Sequence, residues 1–281
     1  MIFEENIGEY LSIDEVAVSK GELYTLVTNK AGKGKKNTIV ACIEGTKAED
    51  IIKVLQRIPI SKRKKVKEIT LDMANNMALA VKKSFPLATQ VTDRFHVVRL
   101  SQNAAQTQRI KLGWIELDNE NMAITKAKIE KTKYQAKRLP NGETKRELLA
   151  RSRYILAKKE NQWTDNQKQR AEILFNTYPS LQQAHKHALN LRKCYECIHK
   201  IDATIMFKKW IDKTNELQIK EFNTVANTIE NHFDTILNYY DNYSTNASAE
   251  SFNSKIKLFR ANQRGVVDTK FFLFRLMKLF A

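Results

Sequence analysis

The chain has 281 residues, enough for one large domain or two modest ones, and its 42% hydrophobic content can supply a sizeable core. Lys plus Arg outnumber Asp plus Glu by 48 to 31, a net charge of +17 that points to a polyanionic partner, most often nucleic acid. Three cysteines, at 42, 194 and 197, are too few for a disulfide-stapled secreted fold. The start lacks the pattern of a signal peptide, and no apolar run approaches the roughly 20 residues of a membrane span. A reducing, soluble, cytoplasmic setting without membrane contact is expected.

In chain order, residues 9–18 (E-Y-L-S-I-D-E-V-A-V) are rich in β-formers. Residues 19–22 (S-K-G-E) predict a turn, and 23–28 (L-Y-T-L-V-T) its hairpin partner. A Gly-rich basic loop at 31–37 precedes a third strand at 38–43. Thr46 with Glu49 predicts a capping box ahead of the helical stripe Ile51, Ile52, Leu55 and Ile58. A basic run at 61–67 leads to a fourth strand, 68–73. Met77, Ala80, Val81 and Phe85 mark a second helix stopped by Pro86, and a fifth strand follows at 88–93. The order β-β-β-α-β-α-β predicts a mixed sheet with helices on its faces.

Residues 95–240 read almost wholly as helices, with a turn at L-P-N-G (139–142). Thr164 and Gln167 predict a cap for a helix carrying Ala171, Ile173, Leu174 and Phe175. Pro179 starts the next helix, which is expected to run through C-Y-E-C (194–197). His185, His187 and His199 lie near that motif and raise the question of a zinc site. Zinc knuckles present such pairs on turns, whereas this run reads as helical throughout, so packing roles are expected for these residues.

Two aspartates stand out among the strands. Asp is unfavourable in a strand interior, yet Asp14 is followed by Val16 and Val18, which continue the strand beyond it. Asp72 ends the fourth strand, where it serves equally as a cap for the next helix. Glu250 lies in S-T-N-A-S-A-E-S-F-N-S-K-I-K (244–257), just inside a helix expected to begin near Asn246 with that side chain as its cap. A carboxylate there is favourable beside the positive helix end. Asn253, Ser254 and Lys257 share its face, while Phe252, Ile256 and Phe259 form the opposite stripe.

These blocks resemble the catalytic core of the DDE transposases of bacterial insertion sequences, and most closely the insertion-sequence L-three family. The marks are S-I-D-E, then L-D-M with a following helix ending F-P, then V-T-D-R-F-H-V-V-R-L. At the far end stands T-N-A-S-A-E-S-F-N-S-K-I-K-L-F-R-A-N-Q-R-G. The resemblance implies an α/β, ribonuclease-H-like fold: a mixed five-stranded sheet with helices on both faces, interrupted by a large all-helical insertion before the last catalytic helix. Residues 1–100 would begin the catalytic domain, 101–240 form the insertion and 241–281 complete the core.

The implied catalytic and metal-ligating triad is Asp14, Asp72 and Glu250. Carboxylates of this kind suit Mg²⁺ or Mn²⁺, and the resemblance implies two ions acting in an in-line displacement at phosphorus. Asp93 and His96 of D-R-F-H, with Asn246 and Asn253, are supporting candidates; an alternative set replaces Asp72 with Asp93. Asp93 also reads as a helix cap and His96 as a helix-start residue. Lys33, Lys35 and Lys36, then Lys62, Arg63, Lys64 and Lys65, then Arg94, Lys255, Lys257, Arg260 and Arg264 are candidates to line a path for double-stranded DNA through phosphate contacts.

The function so implied is cleavage and strand transfer of element ends in the bacterial cytoplasm, at the nucleoid. Assembly as a homodimer on paired ends is implied too. Family members usually carry an N-terminal zinc-binding segment and a helix-turn-helix. This sequence starts almost at the first catalytic strand, which implies a separate helix-turn-helix polypeptide for end recognition, or a truncated remnant. A metal-dependent nuclease of the same fold and an inactive DNA-binding relic are the other two classes.

Overall fold

The computed structural model describes residues 1–19 and 21–281; Lys20, within the expected turn at 19–22, lies outside the described residues. The chain forms two compact units, one of Met1–His96 with His232–Ala281 and one of Val97–Asn231. The first unit holds β1 (Tyr10–Ser19), β2 (Glu22–Asn29), β3 (Ile39–Glu44), α1 (Ala48–Leu55), α2 (Ile60–Arg63), β4 (Glu68–Leu71), α3 (Asn75–Ser84) and β5 (Thr89–Thr92). Helix α4 (Arg94–Ile129) leads into the second unit, which continues with α5 (Lys145–Arg151), α6 (Arg153–Ala157), α7 (Asp165–Thr177), α8 (Pro179–Cys194), α9 (Lys200–Leu217) and α10 (Lys220–Asn231). The chain then returns to the first unit with α11 (Phe233–Leu237), α12 (Tyr239–Asn242), α13 (Ala247–Asn262) and α14 (Thr269–Phe280).

The five strands lie in the order β3-β2-β1-β4-β5. Strands β1, β2 and β3 pair antiparallel, while β4 and β5 run parallel to β1. Parallel neighbours need crossovers, and the α1–α2 and α3 segments supply them. This is the ribonuclease-H-like α/β arrangement, with a run of helices between β5 and α13.

Strand alternation builds two cores. Leu11, Ile13, Val27, Ile69 and Leu71 are buried on one face against Ile51 and Leu55 of α1 and Met77, Ala80 and Val81 of α3. On the other face Val16, Leu26 and Cys42 pack against Phe252 and Ile256 of α13 and Phe272 and Leu276 of α14. The half of this second face nearer β4 is polar, with Ser12, Thr28, Glu68 and Thr70 all buried.

Two local expectations need correcting. The capping box at Thr46 and Glu49 does not form: α1 starts at Ala48 with Lys47 in the cap position, and Thr46 instead accepts a hydrogen bond at its carbonyl from Asn76 (2.6 Å). A short helix, α2, overlaps the start of the basic run at 61–67. C-Y-E-C is not helical throughout: α8 stops at Cys194, and Tyr195 to His199 turn the chain before α9. The expected cap of α7 is present, with Thr164 Oγ1 accepting from Gln167 N at 3.3 Å and Gln167 Oε1 accepting from Thr164 N at 3.1 Å.

Within the second unit, His187 stacks on Trp210 at 4.4 Å between ring centres and shares a 2.7 Å hydrogen bond with Thr214. Burial pushes its pKa down to about 4, so the ring is neutral near pH 7. His185 stacks against both Trp163 and Phe175, with its Nε2 3.0 Å from Lys158 O. The Cys194 thiol donates to Asn190 O, and Cys197 Sγ lies 3.1 Å from Met206 Sδ.

A candidate metal centre at the strand ends

Strand register sets the geometry. In the parallel pair β1·β4, Ser12 stands opposite Thr70, so two residues on, Asp14 and Asp72 come level. In β4·β5, Leu71 stands opposite Thr92, so one residue on, Asp72 comes level with Asp93. Asp93 N donates to Leu71 O at 2.8 Å, extending that ladder. Three aspartates from three adjacent strands therefore line up in one row.

Asp14 accepts hydrogen bonds from Glu15 N (2.8 Å) and from Asn253 Nδ2 of α13 (2.7 Å). Its pKa is raised, chiefly because burial strips solvent from the carboxylate. The Glu15 amide and the His96 charge oppose that rise, Asp72 adds to it, and the Asn253 bond opposes it. Asp72 Oδ1 accepts from Ala74 N at 2.9 Å, so it does hold the turn that leads into α3. Asp93 is buried; its Oδ1 accepts from Asn246 N (3.3 Å) and Phe95 N (3.5 Å). Its Oδ2 is buried without a hydrogen-bond partner, and His96 Nε2 lies 3.9 Å from it.

Helix α13 brings Glu250 to the Asp93 end of this row. Asp93, His96 and Glu250 each offer one ligand atom, and the three atoms lie within 4.8 Å of one another. Among the described residues this is the one group of three or more His, Cys, Asp or Glu side chains close enough to hold a metal ion; Asp14, Asp72 and Glu250 do not themselves form a group with ligand atoms that close. The helix begins as expected, with Glu250 N donating to Asn246 O at 2.9 Å. Asn246 holds the cap position, but its side chain makes no cap bond, contrary to expectation. Its backbone (φ −88°, ψ 10°) is close to helical, not the extended form that aims a cap oxygen at the first amides. The side chain is fully buried, and neither its oxygen nor its nitrogen has a hydrogen-bond partner among the described residues. Of the residues sharing Glu250's face, Asn253 reaches Asp14, Ser254 bonds back to Glu250 O (3.0 Å) and Lys257 is exposed.

The basic candidates divide. Lys255 donates to Gly34 O (2.8 Å) and Arg260 to Val18 O (3.2 Å), which anchors α13 to the sheet unit. Arg63 donates to Ile58 O and Ser84 O, and Lys62 pairs with Glu4 at 3.2 Å. Arg94 donates to Tyr239 OH at 3.0 Å. Lys33, Lys35, Lys36, Lys64, Lys65, Lys257 and Arg264 are exposed.

Two groups went unnoticed in the sequence. Glu15 has a raised pKa, from burial first and then from Asp72 and Asp14, while Asn76 donates to it. Strand alternation sends it to the face opposite Asp14, and nothing in S-I-D-E says that both faces meet acidic neighbours there. Lys30 follows β2 and reaches across β1 to Glu68 Oε1 (3.3 Å) and Thr70 Oγ1 of β4. Burial lowers its pKa, against the pull of Glu68 and of Asp93.

The raised Asp14 pKa has a testable sign. The folded chain holds that proton more tightly than the unfolded one, so the stabilisation is full below 3.8 and is lost as pH rises through the folded value. In EDTA, the urea midpoint relative to Asp14→Asn is expected to fall as pH rises above 3.8. A difference that is flat or rises there refutes the assignment.

No helix among the described residues is long and apolar enough to cross a membrane. A comparison with curated proteins gave no match. A family model described as a transposase, that of the DDE enzymes of the insertion-sequence L-three type, matches residues 11–276, and the chain belongs to that family.

Proposed function

We propose that this transposase cuts and joins DNA by metal-dependent in-line phosphoryl transfer, with Asp14, Asp72 and Glu250 as ligands of Mg²⁺ or Mn²⁺. The observation that carries the reading is the aspartate row Asp14–Asp72–Asp93, with Glu250 brought against its Asp93 end. The donor set suits such an ion: carboxylate oxygens dominate, and a buried Asp93 oxygen has no protein donor to satisfy it. When bound, two such ions supply Lewis-acid activation of the attacking oxygen and neutralise charge on the leaving one.

The chain's own groups have separate tasks. Asp14, Asp72 and Glu250 offer the oxygens that would hold the ions. Asn253 fixes the Asp14 carboxylate through its 2.7 Å bond. Asp93 ties the start of α13 through Asn246 N, and His96 stands at the same edge. The exposed lysines at 33, 35, 36, 64 and 65, with Lys257 and Arg264, supply phosphate contacts that position DNA without reading its sequence. Two copies on paired ends complete the proposal.

A cleavage and strand-joining assay on element-end DNA tests it, run with Mg²⁺, with Mn²⁺ and with EDTA. Cleavage plus joining that requires either ion is the expected result. Cleavage without joining indicates a nuclease, and DNA binding without either indicates a relic. Comparing Asp72→Asn with Asp93→Asn separates the two ligand sets. The nearness of Asp93 to Glu250 favours the second set enough to make that comparison necessary.

A further inference from the structure

The segment ahead of α13 carries a polar stripe that the catalytic reading leaves unused. Thr235, Asn238, Asn242 and Asn246 are spaced three, four and four residues apart, and Glu250 stands four further on. Each of the first four makes a polar contact with the β4–β5 side of the sheet. Thr235 Oγ1 and Thr92 Oγ1 lie 2.8 Å apart, and Asn238 Nδ2 donates to Gln90 O at 3.0 Å. Asn242 Nδ2 donates to Glu68 Oε2 at 3.1 Å, and Asn246 N donates to Asp93 Oδ1 at 3.3 Å.

Helix periodicity alone cannot hold this segment in place. Helices α11 and α12 have 5 and 4 residues, too short to persist unaided, and Tyr243 breaks the path in the left-handed region at φ 52°. Ile236, Leu237, Tyr239 and Tyr240 are buried along the segment, and its polar contacts to β5, the edge strand, and to Glu68 at the start of β4 set its register. Glu68 is itself rigidly held: it is 2% exposed, and its other carboxylate oxygen is 3.3 Å from Lys30 Nζ. Asn242 thus covers one side of a buried, charged anchor on the strand that leads to Asp72.

We propose that the Thr235–Asn238–Asn242–Asn246 stripe is a register device, in which Asn242 on Glu68 is the deciding contact that brings Glu250 level with the aspartate row. These are positioning residues. The proposal rests on the reading of Glu250 as a metal ligand, and its test has one arm that does not.

Asn242→Asp sets a second carboxylate against Glu68. Amide hydrogen exchange at Asn246 and Glu250 is expected to quicken at least several-fold, while amides of β1 and β2 keep their rates. Mn²⁺ affinity, read by electron paramagnetic resonance, is expected to fall by about tenfold or more. Adding Glu68→Gln to Asn242→Asp reverses the polarity of the contact and is expected to restore both readouts. Unchanged exchange at Asn246 and Glu250 overturns the proposal, as does failure of the double variant to restore it. If Asn242→Asp accelerates exchange in β1 and β2 as well, Asn238→Ala decides: local acceleration at 246–250 supports the device, and none overturns it. Glu250→Gln is the control for the metal reading. If it leaves Mn²⁺ affinity unchanged, that reading fails, while the exchange arm still judges the stripe.

Discussion

Glu250→Gln is expected to abolish strand transfer in both Mg²⁺ and Mn²⁺ while leaving the fold intact. Gln keeps the shape and one carbonyl oxygen but removes the negative charge. It therefore weakens the hold on a divalent ion without opening a cavity. A metal ion supplies several kcal/mol of transition-state charge stabilisation. Losing about 4 kcal/mol of it slows the reaction by about 10³-fold. Stability should not suffer, because Glu250 shares its ligand-distance cluster with buried Asp93, and one fewer charge there lowers repulsion. Asp14→Asn and Asp72→Asn are expected to behave alike. A single-turnover assay with a thermal melt on the same preparation reads both effects. Full activity in any one of these variants removes that residue from the triad.

Phe252→Ala is expected to cost about 3–5 kcal/mol, a large part of the stability of an ordinary domain. Phe252 is fully buried on the second face of the sheet, among Val16, Leu26, Ile256 and Leu276. Its ring meets Phe280 of α14 edge-on at 5.0 Å. Truncation leaves a cavity between α13, α14 and the sheet that neighbouring side chains can only partly fill. Leu258→Ala on the same helix is the control: Leu258 is 61% exposed, so its loss should change stability by no more than about 0.5 kcal/mol. Urea unfolding of the two variants gives the comparison. Equal midpoints would mean that α13 is not docked as described. Because Phe252 stands two residues from Glu250, the burial that stabilises the helix also aims its carboxylate.

Much of this was legible in residue patterns. Runs of β-formers bounded by turn signals located all five strands, and β2, β3 and β4 are buried along most of their length. An Asp at position 14, with β-formers on both sides, marked a site because a buried carboxylate there needs a reason that packing does not supply. The aromatic stripe at Phe252, Ile256 and Phe259 predicted a docked face, and the first two are buried. Local end signals were less reliable. Thr46 and Glu49 matched a capping box that the chain does not use, because α1 begins one residue too late for it. Asn246 matched an N-cap, yet its backbone is near-helical and only its backbone N–H bonds, to Asp93, while the buried side chain caps nothing. C-Y-E-C looked helical because its flanks are, and the turn appears only where α8 ends.

By itself, the sequence determined the element order, the apolar faces and which acidic residues stand in unfavourable places. Those follow from local periodicity and from the cost of burying charge, which act over a few residues. Only the tertiary structure decided which carboxylates meet. Parallel register between β1, β4 and β5 puts Asp93 level with Asp14 and Asp72, and that register depends on strand pairing across tens of residues of crossover. Lys30 reaching Glu68 and Asn242 covering it were equally out of sight, because hydrogen bonds between residues 38 and 174 positions apart leave no periodic trace in the chain.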